Sequence, residues 1–506
     1  MGLKRYTATA DNSITNAFKS NLSTRGTGSN MGASDVLETF HIYAQANSSS
    51  VEDQRVLVEF PISQISSDRT DGIIPVSSSV DFFLRLHNAK HSQTVPRDFD
   101  LVISAVKSSW EEGTGLDMEG YTDLTYDQTG SNWVMRSGDT AWASQGGDYY
   151  IDTSSSFTSS FTTGIEDMEL NITPLVEQWI NSAGNILGSK TNNGVLVKLR
   201  NNAEDAIVSY YTKKFFSRTS EFFFKRPSIE ARWDSTTQDD RGNFHFSSSV
   251  APADDNLNTL YLYNVINGRL RNIPSAGTST IYVSIYSGSA NNSVPSGSKL
   301  KLSPGGDVAA LGDTNVTGGY VSTGIYSASF AFTGATDLTK VFDVWHDKTD
   351  TGTEFSTGSI TTRTFASSQY NPNPEYVVSM TNLKDVYSKK EKAARMRVFT
   401  RNWNWSPTIY TIASQKVEGL TVPDLYWRVI RITDSLEVIP YATGSTTPQA
   451  LGNAQSYTRL SYDSEGSYFD LDMSMLEPDY AYGLQFMRYY NDGYVEQPEI
   501  FKFRVE

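Results

Sequence analysis

Polar and apolar residues alternate along much of this chain. In Arg55–Phe60 the apolar positions Val56, Val58 and Phe60 fall on one side of an extended backbone, and in Val80–Leu86 the set is Val80, Phe82, Leu84 and Leu86. A side-chain period of two, broken by clusters of Gly, Ser, Asn and Asp, predicts half-buried antiparallel strands. Runs of the same kind recur at Gly194–Leu199, Leu260–Tyr263, Ile281–Tyr286, Gly324–Phe332, Lys340–Trp345, Ala394–Thr400 and Tyr426–Ile432. One stretch has helical spacing instead. In Thr173–Ile180 an apolar side forms from Leu175, Val176, Trp179 and Ile180, with Thr173 as the expected cap, Pro174 in the first turn and Gly184 as the stop.

These runs fall into three groups. The first ends with Ile229–Trp233, and residues 234–258 are polar with little periodicity, which reads as a linker or extended connection. A second set of strands follows, closed in part by the Pro-rich NPNPEY at Asn371–Tyr376, and a third runs from about Asp385 to the end, with a hairpin turn at Asn491–Gly493. The predicted fold is therefore all-β, three tandem β-sandwich domains at 1–233, 259–384 and 385–506 with a linker at 234–258.

Composition narrows the function classes. A net charge of −15 argues against broad contact with nucleic acid, whose phosphates need an excess of Lys and Arg, and against anionic membrane surfaces. There is no cysteine, which excludes disulfides, thiol catalysis and thiolate zinc sites and favours assembly in a reducing cytoplasm. Met1–Phe18 lacks the apolar core of a signal peptide, and Tyr6 stands where a myristoylation motif wants Ser or Thr. The Asn-x-Ser/Thr triplets at Asn21, Asn47 and Asn291 are expected by chance in so Ser- and Asn-rich a chain.

Catalytic chemistry finds little support. SSWEEGTGLD, Ser108–Asp117, looks most like an enzyme site, but adjacent Glu111 and Glu112 on a strand point to opposite faces, and a glycosidase pair must converge on one bond. Nothing selects Asp117, Asp123 or Asp148 as a partner for Glu112, so the stretch reads as a turn. The carboxylates Asp117, Glu119, Asp123 and Asp127 lack the spacing of an EF-hand and read as a solvated loop. His87 and His91 have helical metal-ligand spacing but follow a strand and precede Pro96, so no metal site is assigned. No nucleophile elbow or phosphate-binding loop occurs, and no catalytic, cofactor or metal residue is expected.

Aromatic positions point to assembly. Trp403 and Trp405 lie on one face of a strand, either in a core or at a partner or sugar surface. If Phe222, Phe223 and Phe224 form a strand, one side of it must face away from its own core, which implies a neighbouring domain or subunit.

Three resemblances add to this. Asp11-x-x-Ile14, Asn30-Met-Gly32, Arg55-x-Leu-x-x-Phe60, Ser109–Thr114, Trp142 before Gly146-Gly-Asp148, and the Trp179 helix resemble, in that order, the disaggregatase-related (DNRLRE-type) family over residues 5–233. That resemblance implies a jelly-roll-like sandwich with a short helix, of a kind found in adhesive and polysaccharide-associated proteins. Leu476-x-Pro478-x-x-x-Tyr482 resembles the tyrosine corner of fibronectin III-like sandwiches, implying an Ig-like last domain. The opening KRYTATADNSITNAF, the EARWDS–DDRGNF junction and the closing EPDYAYGLQF…EQPEIFKFRVE resemble structural proteins of tailed bacteriophages of the T4-like marine type. The expectation is a non-enzymatic virion protein, made and assembled in the host cytoplasm as an adaptor of the tail, baseplate or fibre-attachment region. Its partners would be other virion proteins and further copies of itself in a symmetric assembly. The alternative is a host-adhesion module binding surface glycan through exposed Trp and acidic loops of the first domain.

Overall fold

Strand pairing follows the alternation. The computed structural model describes residues 2–116, 130–289, 291, 293–295, 297–333, 338–348, 352–363, 375–404, 409, 419–443, 456–490 and 493–506. The fold is all-β and multi-domain. The chain divides into two compact units, one built mainly from Gly2–Asp234 and the other from Ser235–Thr443 with Tyr457–Glu506.

The first unit contains strands β1 (Leu3–Thr7), β2 (Ala10–Thr15), β3 (Val36–Tyr43), β4 (Val51–Glu59), β5 (Asp81–Leu86), β6 (Phe99–Ala105), β7 (Met135–Ser137), β8 (Thr140–Ala141), β9 (Ser156–Phe161), β10 (Met168–Asn171), β11 (Val195–Leu199), β12 (Tyr210–Phe216) and β13 (Ser228–Arg232). One sheet has the order β1-β13-β5-β10 and the other β12-β3-β4-β11-β6-β9, with β2 also on β4. Taking β1, β4, β5, β6, β9, β10, β11 and β13 in turn, the chain switches sheets as a jelly roll does. The apolar sides recognised in the sequence, Val56, Val58 and Phe60 with Val80, Phe82, Leu84 and Leu86, are all buried in its core.

The helix at Thr173–Ile180 forms as the spacing predicts, with different ends. Ile172 is the cap residue, because the Thr173 hydroxyl is used otherwise: it donates to Asn171 Oδ1 at 2.7 Å and accepts from the Phe82 N–H at 2.8 Å. The helix stops at Asn181, whose left-handed φ of 48° ends it before Gly184. A second helix at Ile62–Thr70 has no clear helical period in its sequence, because its serines blur the apolar side. Arg69 ties the two helices together through a bidentate pair with Glu177 at 2.7 and 2.8 Å.

The second unit holds two sets of sheets. One sheet runs Asn258–Tyr263, Ile325–Phe332, Val316–Ser322, Ile281–Gly288, Lys340–His346, Glu354–Thr361. Leu260, Ile281, Val283, Phe330, Phe332 and Trp345 lie in its core. The other set is a sandwich. Its four-stranded sheet is Tyr376–Met380, Ala394–Asn402, Gly466–Leu471, Ser461–Asp463, and its larger sheet is Val386–Tyr387, Phe501–Val505, Ala481–Tyr490, Leu425–Arg431, Leu436–Ile439, with Gly493–Glu496 pairing on Ala481–Tyr490. Trp427 from the larger sheet stacks on Phe469 from the smaller at 4.7 Å between centroids, closing the core.

The stretch 234–258 is not a free linker. Thr237 and Asp239 exchange backbone hydrogen bonds with Tyr462 at 2.9 and 3.0 Å, extending the four-stranded sheet. Phe244 is then fully buried in the core of the preceding sheet, stacked on Phe332 at 4.6 Å. The segment lacks periodicity because its residues pair with more than one element, so no single face repeats.

Candidate binding cleft

The stretch at Ser108–Thr114 is irregular backbone held by structural contacts. Trp110 is buried and its indole N–H donates to Asn193 O at 2.9 Å. Glu112 Oε1 accepts from the Asp11 N–H at 2.8 Å and from Arg218 Nε at 2.5 Å, so a guanidinium neutralises the carboxylate that had looked catalytic. The Asn30 side chain donates to Glu112 O at 2.7 Å and to Ser131 O at 2.8 Å while accepting from the Gly115 N–H at 2.9 Å. A Cβ on Gly115 would lie 2.1 Å from Asn30 O, which is why glycine stands there. Asp148 is elsewhere employed, accepting from the N–H groups of Ala143 and Ser144 at 2.8 Å each. Beside this knot Asp11 is completely buried, and loss of water pushes its carboxyl up to about 7, against the Arg218 N–H and with the Glu112 charge. Asp117, Glu119, Asp123 and Asp127 lie outside the described residues.

The two loop histidines meet different partners. His87 Nδ1 meets Asp167 Oδ2 at 2.9 Å and His91 Nε2 meets Asn88 Oδ1 at 2.9 Å, and burial lowers the pKa of both. Among the described residues no group of three or more His, Asp or Glu is arranged to hold an ion. No helix among them is long and apolar enough to cross a membrane.

The strand expected at Phe222–Phe224 is a turn. Phe223–Lys225 form a 3-10 turn, entered where Ser220 Oγ accepts from the Phe222 N–H and left where Arg226 is extended before Pro227. Phe222 is exposed beside Phe216 at 5.3 Å, while Phe223 and Phe224 are half-buried and meet edge to face at 5.1 Å. With no strand here, Phe222–Phe224 has no second strand face to cover, although the Phe222 ring remains in the open. Trp403 is 59% exposed, and Trp405 lies outside the described residues. The tryptophans of the first unit, Trp110, Trp133, Trp142, Trp179 and Trp233, are all buried, which removes them as sugar-stacking platforms. In the last sandwich Tyr482 is buried and its hydroxyl donates to Glu477 O at 2.7 Å, beside buried Leu476 and half-buried Pro478.

A concavity in the second unit forms a cleft of about 500 Å³. Strand register builds its wall. Arg397 is opposite Tyr468 and Arg395 opposite Asp470, while Ser461 is opposite Tyr468 on the far side. Because positions two apart share a face, Arg395, Arg397, Tyr468 and Asp470 project together, while Met396 and Val398 enter the core. Arg395 holds Asp470 through two bonds of 2.9 and 3.0 Å, and Arg397 reaches Asp463 at 2.6 Å and Glu465 at 2.8 Å. The two guanidiniums flank the Tyr468 ring at 4.2 and 5.0 Å. Opposite stand Tyr263, Leu270 and Ile325, with Asp239 and Arg241 from the connecting segment. Burial pushes the Asp239 carboxyl up to about 6, partly offset by the Arg241 charge and N–H. Arg241 itself is fixed by Asp343 at 2.8 and 2.6 Å.

The alternating arginines of Ala394–Thr400 and the acids of Asp463–Asp470 were visible in the sequence, but their meeting was not. No protein-family model matches this chain. A search of curated proteins returns no match either.

Proposed function

We propose that this chain is a non-enzymatic structural protein of a tailed-phage virion, an assembly or adaptor component of the tail, baseplate or fibre-attachment region. The observation that carries this reading is the connection at 234–258. Paired to Tyr462 at one end and packed through Phe244 at the other, it ties the successive β-sheets of the second unit together, which stiffens their connection. A spacer that must hold neighbours at fixed positions needs that stiffness; a flexible linker would lose it. Three carboxylates of the cleft, Asp463, Glu465 and Asp470, are engaged by the two guanidiniums of Arg395 and Arg397, which suits binding rather than proton transfer. Exposed Trp403 and Phe222 offer apolar contact to neighbouring subunits in a symmetric assembly.

Cryo-electron microscopy of purified particles tests this. The expected result is density for this chain in a symmetric ring or fibre, with Trp403 or Phe222 covered. Absence of the chain from particles would overturn the reading. A second reading, a glycan-binding adhesion module on the same particle, is favoured by the mixed polar lining of the cleft.

A further inference from the structure

We propose that the cleft of the second unit binds an uncharged oligosaccharide. The inference rests on the glycan-binding reading and names its site and ligand class. It begins with charge: the lining carries four arginines and four carboxylates, so no net field draws an anion or a cation in. Arg395 and Arg397 are already paired to carboxylates of the same wall, so an acidic sugar would have to displace Asp470 or Asp463. A neutral polyol needs no displacement. Neighbouring hydroxyls of a sugar ring can accept from a guanidinium and donate to its carboxylate partner, and the fixed Arg395–Asp470 pair presents both groups side by side.

A stacking surface lies opposite. Tyr263 is 40% exposed at the cleft and is backed by Tyr261, with ring centroids 6.3 Å apart and planes within 24°. The negative face of such a ring attracts the weakly positive C–H face of a pyranose. Size favours an oligomer over a single sugar. An adjoining cleft of about 330 Å³ shares Arg397, Asp463, Ser464 and Glu465 with the first, so a chain entering one continues past Arg397 into the other.

The test is saturation-transfer NMR and titration of the full chain with two panels. One holds neutral oligomers of glucose, mannose and N-acetylglucosamine; the other holds sulfated and uronic-acid oligomers. The expected result is saturable binding of at least one neutral oligomer, with an affinity that does not change between low and high salt. Tyr263→Ala is expected to weaken it by about tenfold or more. Glu465→Gln, on an exposed side chain, is a second variant that leaves the fold intact and is expected to weaken binding by about threefold or more. Binding confined to the acidic panel and lost in salt would overturn the inference while leaving a glycan-binding function standing. No binding in either panel would remove both. Binding of a neutral oligomer that is untouched by both substitutions would move the site elsewhere and also overturn the inference.

Discussion

Glu230 in the first unit and Asp470 in the second are both carboxylates held by arginine, yet they stand in opposite settings. The Glu230 side chain is 2% exposed and contacts Arg5 at 2.7 Å and Arg232 at 2.6 Å, with Arg85 at 3.5 Å. Burial alone would raise its pKa, but the three guanidiniums outweigh that and hold it well below the usual carboxylate range. Asp470 is 29% exposed, pairs with Arg395 alone among the described arginines, and faces an open cleft. The first arrangement spends its hydrogen bonds inside the protein. It links β1, β13 and β5 through side chains in addition to the backbone ladder, so it fixes register. The second leaves donor and acceptor capacity facing solvent, where a ligand can use it. The same chemical pair is thus structural in one unit and available in the other, and burial makes the difference.

The largest effect is expected at Glu230. Glu230→Gln takes from three guanidiniums the buried counter-charge they share, leaving Arg85 and Arg232 only the more exposed Glu169, and is expected to cost about 3–5 kcal/mol. Hydrogen exchange across β1, β5 and β13 reads this directly, because it resolves the two units. A loss below about 1 kcal/mol would show that the network is not structural.

The next effect is a pH dependence at Asp11 in the first unit. Asp11 has a folded pKa near 7 against 3.8 unfolded, so the folded state holds the extra proton between those values. Its contribution is present at acid pH and is lost as pH rises through about 7. Asp11→Asn should therefore gain stability relative to the wild type across that window. Urea unfolding at a series of pH values checks the sign, and a gap that stays constant with pH contradicts it.

A smaller effect is expected in the second unit. Tyr482→Phe removes the hydroxyl that donates to Glu477 O and should cost about 1 kcal/mol, read from the hydrogen exchange of Ala481–Tyr490. The smallest is at the cleft. Asp470→Asn should change stability by less than about 0.5 kcal/mol, because a surface ion pair contributes little. A cost matching that of Glu230→Gln would erase the distinction between the two units.

What the sequence determined by itself was local. Side-chain alternation located the strands, since a buried face on a pleated strand forces a period of two whatever its partner. It gave Val56–Phe60 and Val80–Leu86 their inner faces, and the Thr173–Ile180 spacing gave the helix. Leu476, Pro478 and Tyr482 marked a corner whose bond spans only five residues. Where local rules competed, the tertiary structure chose. Phe222–Phe224 carries strand-like residues but sits between Ser220 and Pro227, and it became a turn.

The cleft belonged entirely to tertiary structure. Arg395 meets Asp470 across 75 positions and Arg397 meets Asp463 across 66, and the connecting segment finds Tyr462 across more than two hundred. An arginine on an exposed strand face has the same periodicity whether it faces water, a carboxylate or a ligand. Only the pairing of distant strands decides which, because register places side chains opposite one another and no local pattern encodes register between segments so far apart.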